Sequence, residues 1–285
     1  MLLIYGVLSL FVLFCVLPFI LVLSASFSSE EKILENGLRF WPQEFTLSAY
    51  EYAFKYPEDI LNAYGVTIFV TVVGTALNLL LAVLLAYPLS KPHFRWRRAM
   101  SFYLFFTMLF SGGLVPTYLL LKNVLHLYDT IWVLILPLLI VPGNVFLLRV
   151  FFQAIPASLY ESARMDGAGE FTMLVRIALP LCKAGMATVT FFIILLYWND
   201  AFTALMYTED PALTPLQLML TRLVNYVQYI KQSEISGGLI ASGGALPENS
   251  LMFAMCCIAT GPMLFVFSFF QKYFVRGLTA GAIKE

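Results

Sequence analysis

Six long stretches of apolar residues limit what this chain can fold into. Each is close to the roughly 20 residues that an α-helix needs to cross the hydrocarbon core of a bilayer. Of the 285 residues, 60% are hydrophobic and 12% are charged, and a soluble fold of this length could not bury so much apolar surface. We therefore predict an all-α, polytopic membrane protein with about six transmembrane helices, at residues 2–24, 62–89, 99–121, 130–148, 184–206 and 250–271.

The first stretch has an alternative interpretation, because an apolar segment at the N-terminus can also be a signal peptide. It has no basic residues ahead of the apolar run, and the run exceeds the roughly 7–15 residues usual for signal peptides. A membrane helix is preferred, and residues 1–285 are predicted to form one transmembrane domain. In the third stretch, Gly112 and Gly113 are interpreted as sites of close helix packing.

The placement of Lys and Arg predicts the orientation, because these residues are retained in cytoplasmic loops. The segment between the second and third stretches contains Lys91, Arg95, Arg97 and Arg98 and no acid. The loop between the fourth and fifth stretches and the C-terminal tail are also basic, which predicts that both termini are cytoplasmic. The cluster from Lys91 to Arg98 is interpreted as a topology anchor. A formal net charge of zero argues against a nucleic-acid partner.

No motif for catalysis or metal binding occurs in the sequence. The four cysteines lack CxxC spacing, and His93 and His126 have no ligand partner three or four residues away. HExxH, GxSxG and the phosphate-binding GxxxxGK[ST] are also missing. No catalytic residue or metal is predicted, and any ATP hydrolysis must come from a separate subunit.

Residues 153–183 have the pattern of two short helices in a cytoplasmic loop. Pro156 suits the first turn of the first helix, which runs towards Met165 and is broken at Asp166 and Gly167. A second set of apolar residues then recurs at helical spacing: Phe171, Leu174, Val175 and Ala178. Such a segment could dock a soluble partner or lie on the bilayer surface. Helices that lie on the bilayer surface are usually rich in Lys and Arg, whereas this segment carries Glu161, Asp166 and Glu170.

The sequence from Glu161 to Ala168, followed by Ile177-Ala178-Leu179-Pro180, closely resembles the EAA motif of permeases in binding-protein-dependent ABC importers. Ser162 and Leu174 depart from the usual Ala and Phe of that motif but keep its size or apolar character. The resemblance extends over nearly the whole chain to the carbohydrate branch, and to the shorter permease related to the maltose-system pair. It includes the segments 110–118, 128–132, 197–200 and 273–282.

This resemblance implies the type I ABC importer permease fold in the bacterial cytoplasmic (inner) membrane, with sugars, chiefly oligosaccharides, as cargo. The implied partners are a second homologous permease, two ATPase subunits that hold ATP and Mg, and an extracytoplasmic sugar-binding protein. This chain itself is expected to bind no cofactor. The loop 207–249 would face the binding protein, and the tail 277–285 would reach between the ATPases. ATPase coupling is assigned to Glu161, Ser162, Ala163, Asp166, Gly167 and Ala168.

Asp200 is the one acid well inside a predicted crossing, and Tyr197, Trp198 and Asn199 precede it. An acid in a membrane helix is a functional candidate, and aromatic faces and amides suit the hydroxylated rings of sugars. These four residues are therefore a candidate substrate path. The alternative is an ordinary interfacial residue near a helix end.

Two other function classes compete with the importer. In an ion-coupled secondary transporter Asp200 would carry a proton, but residues 153–183 would then have no role. An intramembrane hydrolase would need a motif or a pair of carboxylates that the sequence lacks.

Overall fold

The structure, a computed structural model, describes residues 2–55, 57–235 and 248–282, and helices dominate this part of the chain. Within these residues there is no strand, only an isolated bridge between Ser28 and Phe45. The all-α prediction is confirmed. The α-helices are α1 (Leu2–Ser26), α2 (Glu30–Asn36), α3 (Ser48–Ala53), α4 (Pro57–Ser90), α5 (Arg97–Leu109), α6 (Leu114–Leu119), α7 (Pro142–Gln153), α8 (Ala157–Met165), α9 (Glu170–Met173), α10 (Leu179–Leu181), α11 (Lys183–Trp198), α12 (Phe202–Tyr207), α13 (Leu216–Ile235) and α14 (Glu248–Ala282).

Shorter helical forms fill several of the connections. Leu120–Val124 and Leu174–Ala178 are π-helical, and Ile131–Leu134, Leu136–Leu138 and Pro211–Leu213 are 3₁₀-helical. Part of the predicted outer loop, residues 236–247, and the last residues of the predicted tail, 283–285, lie outside the described residues.

Three helices are long and apolar enough to cross a membrane alone: Leu3–Ser26, Pro57–Ser90 and Asn249–Tyr273. Three bent pairs also pass as broken spans, which gives up to six crossings. The pairs are Arg97–Leu109 with Leu114–Val124, bent by 112°, Ile131–Leu138 with Pro142–Gln153, bent by 51°, and Glu170–Leu181 with Lys183–Trp198, bent by 83°. The third and fourth predicted stretches are therefore interrupted helices. The bend of the last pair lies just before the fifth predicted stretch, which is itself interrupted between Trp198 and Phe202.

The third predicted stretch breaks at the two glycines, so the helix-packing interpretation of Gly112 and Gly113 is wrong. Among the described residues, the atom nearest to an added Cβ at either glycine is 4.0 Å away and belongs to Pro116, in the helix that directly follows them. Gly113 has φ +88° and precedes α6. Gly113 serves the chain turn, because a backbone at this φ strains any residue with a side chain.

By contacts the chain divides into two compact units. The first comprises the described residues of Met1–Tyr64 and Pro215–Leu264, and the second those of Gly65–Thr214 and Phe265–Glu285. The division falls within α4 and α14. The single transmembrane domain stays a prediction.

The first unit is held by an apolar cluster and by a capped helix. Ile60, Leu251 and Met255 are buried together, and the hydroxyl of Tyr64 donates to the carbonyl of Ile258 at 2.6 Å. The Glu30 carboxylate accepts from the backbone N–H groups of Asn249 and Ser250 at 3.0 and 2.8 Å, in the first turn of α14. A carboxylate there satisfies exposed N–H donors and matches the positive end of the helix dipole.

In the second unit, polar side chains of α4 and α11 support the irregular fourth crossing. Asn78 Nδ2 donates to the Leu138 carbonyl at 2.7 Å, and the Tyr197 hydroxyl donates to the Ile135 carbonyl at 3.1 Å. Backbone groups at membrane depth need such partners because no water is available there. Gly74 of α4 lies directly against the Tyr197 ring, since a Cβ at this position would be 2.6 Å from Tyr197 Cζ.

The contact between Gly74 and Tyr197 gives a stability prediction. Gly74→Ala should destabilise the purified chain by about 1–3 kcal/mol, because a hydrogen-bonded ring cannot move away from the new methyl group. Gly65→Ala is the matched control in the same helix, since nothing lies within 4 Å of its Cβ position, and it should stabilise by about 0.5–1 kcal/mol. Thermal unfolding in detergent measures both changes. Equal effects of the two substitutions would contradict the close packing.

Candidate functional site

The predicted helix break in residues 153–183 is present in the structure. α8 runs from Ala157 to Met165, with Pro156 as the residue before its first turn, and α9 begins at Glu170. The two are joined by a tight turn. The Gly167 N–H donates to the Arg164 carbonyl at 3.0 Å, and the Ala168 N–H donates to the Ala163 carbonyl at 2.9 Å. These bonds satisfy carbonyl groups that the end of α8 leaves free.

Gly167 has φ +79°, in the left-handed region that glycine alone adopts without a steric penalty. Its neighbours leave space for a side chain, because nothing lies within 4 Å of the position of a Cβ. The requirement for glycine at this turn is therefore a backbone requirement.

α8 has one buried residue and several exposed ones. Tyr160 is buried, whereas Glu161, Ser162, Asp166 and Gly167 are exposed. Ala163 and Ala168 are half-buried beside them. Two large apolar side chains also face outwards, since Met165 is 89% and Phe171 is 74% exposed. The six residues assigned to ATPase coupling thus share one accessible helix and turn, with small and apolar side chains among charged ones.

A polar network ties this helix to the end of α4. Arg164 forms an ion pair with Glu170 at 2.8 Å, across the turn. The other carboxylate oxygen of Glu170 accepts from the Tyr87 hydroxyl at 3.1 Å. Because Arg164 and Glu170 are both about half exposed, the pair itself adds little stability. Its main consequence is to fix the relative position of α8, α9 and α4.

Lys91, one residue past α4, lies beneath α8. Its ammonium group is 2.8 Å from the centroid of the Tyr160 ring and 4.6 Å from that of Tyr87. Among the described residues neither Lys91 Nζ nor the Tyr160 hydroxyl has a hydrogen-bond partner. Burial raises the pKa of Tyr160 to about 12, so its phenol is neutral at physiological pH. The ammonium therefore interacts with the face of a neutral ring, a cation–π contact.

Sequence reasoning missed this support. It interpreted Lys91 only as a topology anchor and gave Tyr160 and Tyr87 no role. The available signals were a tyrosine on the short helix and a lysine directly after the second predicted crossing. Residues 69 positions apart cannot be paired from one sequence, however.

The candidate substrate path is split between buried and accessible residues. Tyr197 and Trp198 are 3% and 5% exposed, and the Tyr197 hydroxyl already donates a hydrogen bond to the Ile135 carbonyl. α11 ends at Trp198, so Asp200 lies in a break between helices and not within a continuous crossing as predicted. Its carboxylate accepts from the Thr203 N–H at 3.0 Å and thereby caps α12. In this conformation a sugar could reach Asn199 and Asp200 before the two aromatic rings, and the path stays a prediction.

The buried ammonium beneath α8 makes stability depend on pH. Burial lowers the pKa of Lys91 to about 8, so between pH 8 and 10.5 the unfolded chain binds more protons than the folded chain. The contribution of Lys91 to stability is therefore lowest below pH 8 and rises as the pH passes through 8 towards 10.5. We expect the unfolding midpoint to rise by about 2–4 °C from pH 7 to pH 9.5, as ~1 kcal/mol would give.

Lys91→Met, which removes the charge and keeps the length, should abolish this rise. Lys183→Met removes a charge from an exposed side chain of the same unit and should keep it. Tryptophan fluorescence during heating measures the three midpoints. A slope in Lys91→Met equal to that of the wild type would rule out Lys91 as the source.

Comparison with known proteins places this architecture in a family. Residues 78–280 match the model of the binding-protein-dependent transport system inner membrane component. The chain is 41% identical over 284 residues to the polygalacturonan/rhamnogalacturonan transport system permease protein YtcP of Bacillus subtilis, covering 99% of this chain and 97% of that one. It is 27% identical over 288 residues to the arabinooligosaccharides transport system permease protein AraQ of the same organism, covering 98% and 93%.

A solved structure has the same fold. It is a crystal structure of a bacterial ABC transporter involved in the import of the acidic polysaccharide alginate. The TM-score is 0.81 at 31% identity, covering 96% of this chain and 95% of the other. The fold is that of an ABC importer permease, and the chain belongs to the family of inner membrane components of binding-protein-dependent transport systems.

Proposed function

We propose that this chain is a permease subunit of an ATP-driven importer that carries sugars, chiefly oligosaccharides, across the bacterial cytoplasmic membrane. The similarity of 41% identity over 99% of the chain to a permease named for polygalacturonan and rhamnogalacturonan transport carries this proposal. The relatives named for arabinooligosaccharide and alginate transport support the same class of cargo. An ion-coupled transporter is not proposed, because the family works with a binding protein.

In this proposal α8 is the coupling helix and docks in a cleft of an ATPase subunit. Glu161 and Asp166 offer exposed charges, and Ala163 and Ala168 let a partner backbone approach closely. Met165 adds an apolar contact at the tip. Protein interfaces commonly combine an apolar centre with a polar rim.

Tyr160 supplies the rigid connection that transport needs. Its ring is buried against Lys91 at the end of α4, and Arg164 is paired through Glu170 to Tyr87 of the same helix. A displacement of α8 by the ATPases would therefore be passed to a membrane helix of 34 residues. Closure of the ATPases on ATP would then move the permease between inward-facing and outward-facing states as a rigid body.

The proposed assembly contains two ATPase subunits, which bind ATP and Mg, a second homologous permease and an extracytoplasmic sugar-binding protein. Both termini are cytoplasmic in this arrangement, as the basic loops predict. The most apolar part of α1 has no residue buried within this chain, so this helix is available to lipid and to the second permease. The substrate path would pass Tyr197, Trp198, Asn199 and Asp200.

The turn at Gly167 provides the test of the coupling assignment. Gly167→Val places a β-branched side chain at φ +79°, where left-handed backbone costs about 1–2 kcal/mol or more. Gly169→Val is the matched control, because Gly169 has φ −71° and free space around it. In the purified importer we expect sugar-stimulated ATP hydrolysis to fall about tenfold or more in Gly167→Val, as a loss of ~1.4 kcal/mol would give, and to persist in Gly169→Val.

Co-purification of the ATPase subunit separates assembly from coupling in the same samples. Loss of the ATPase from Gly167→Val, with the permease pair intact, supports α8 as the docking helix. Normal stimulation and normal ATPase content in Gly167→Val would refute the assignment.

A further inference from the structure

Four arginines of the second unit surround one cavity of about 570 Å³. Arg95 lies just before α5 and Arg97 and Arg98 lie in its first turn, whereas Arg149 comes from the second half of α7. Arg149 Nη1 also donates to Ser101 Oγ at 3.2 Å. Pro92 and Phe94 complete the lining. The fold thus brings a distant arginine to a cluster that is adjacent in sequence.

No acidic side chain in the described part of the chain forms an ion pair with the arginines of this cavity. Among the described residues, the ion pairs involve Lys32 and Arg164, and none involves the four arginines. Arg97 and Arg98 also occupy the first turn of α5, which contains no acid. Cations are unfavourable there because the helix dipole is positive at its N-terminus, and an anion would be favoured.

A role as topology anchor does not explain a shared cavity. Retention of a loop on the cytoplasmic side depends on the number of Lys and Arg residues near the ends of crossings. It does not require that Arg149 converge with Arg97, or that both be half-buried. Like charges held this close cost energy, and guanidinium groups converging on one space suit an oxyanion that accepts several hydrogen bonds.

The exposed apolar surface of α5, the helix that follows the arginines, indicates that the anion belongs to a lipid. Beyond its first turn α5 exposes large apolar side chains, including Phe102 and Tyr103 at 68% and Leu109 at 63%. Trp96, 59% exposed, lies just before the helix, and tryptophan is typical of the membrane–water interface. A charged cavity next to an exposed apolar helix face matches a headgroup with its acyl chains. A free phosphate ion would use the cavity alone.

We propose that this arginine cavity binds the phosphate group of an anionic phospholipid, with the acyl chains along the exposed face of α5. The lipid would neutralise the cluster and fix the start of α5 relative to α7, whose chain continues into α8. Basic pockets at the cytoplasmic side of membrane helices are suited to anionic headgroups.

Lipid binding to the whole purified importer tests the proposal. Native mass spectrometry would compare phosphatidylglycerol with phosphatidylcholine of the same acyl chains. We expect the wild type to bind phosphatidylglycerol about tenfold more tightly, because phosphatidylcholine carries a choline cation that the four arginines would repel; tenfold corresponds to about 1.4 kcal/mol. Equal affinities for the two lipids would overturn the proposal without reference to any variant.

Substitutions locate the site. Arg97→Gln with Arg149→Gln should remove the preference for phosphatidylglycerol, whereas Arg176→Gln, an exposed arginine outside the cavity, should keep it. If the first pair does not assemble, Arg95→Gln with Arg98→Gln provides a second test at exposed positions. An unchanged preference in the assembled cavity variants would place the lipid elsewhere and refute the site.

Inorganic phosphate distinguishes the two sources of the anion. At millimolar concentration it should fail to displace phosphatidylglycerol from the wild type, because it makes no contact with α5. Displacement by inorganic phosphate at an affinity equal to that of the lipid would show a site for free phosphate and contradict the lipid proposal.

Discussion

A chain that crosses a bilayer must satisfy its own backbone polar groups, and this requirement shapes the second unit. Where a helix is interrupted, carbonyl groups lose their partners in the chain and water cannot replace them. Asn78 and Tyr197 therefore donate to the carbonyls of Leu138 and Ile135, in the 3₁₀-helical crossing that contains Pro137. Gly74 allows the Tyr197 ring to lie close enough for this bond. The irregular crossing depends on polar side chains that hydropathy alone does not reveal.

The helix α8, which is proposed to couple to the ATPase, combines an exposed surface with one buried side chain. Its outer residues, including Glu161, Ser162 and Met165, face outwards, and a partner can reach them. Tyr160 alone is buried on α8 and contacts the ammonium of Lys91. A helix of nine residues is too short to be stable alone in water. Its position is set by this contact and by the turn at Gly167. In the proposed importer, docking and transmission would therefore be performed by opposite faces of one short helix.

Long, apolar elements were predictable from the sequence, and features that depend on pairs of distant residues were not. The helices at Leu3–Ser26, Pro57–Ser90 and Asn249–Tyr273 were expected because the length of a continuous apolar run can be read directly from the sequence. The break at Gly113 was misjudged, since a glycine pair in an apolar run fits helix packing and a chain turn equally well. Asp200 was placed inside a crossing because its neighbours are apolar, although α11 ends at Trp198. The α8 turn was foreseen from Asp166 and Gly167, but its support by Lys91 required the fold.

The central claim is that the exposed face of α8 contacts an ATPase subunit. A photoreactive residue at position 165, where the Met side chain is 89% exposed, tests it in the assembled importer within membranes. The matched control carries the same residue at position 34, where Leu is 69% exposed in the first unit. The account predicts that illumination joins this chain to the ATPase subunit from position 165 and not from position 34. Cross-links from position 165 to lipid alone, with the ATPase present in the complex, would contradict it.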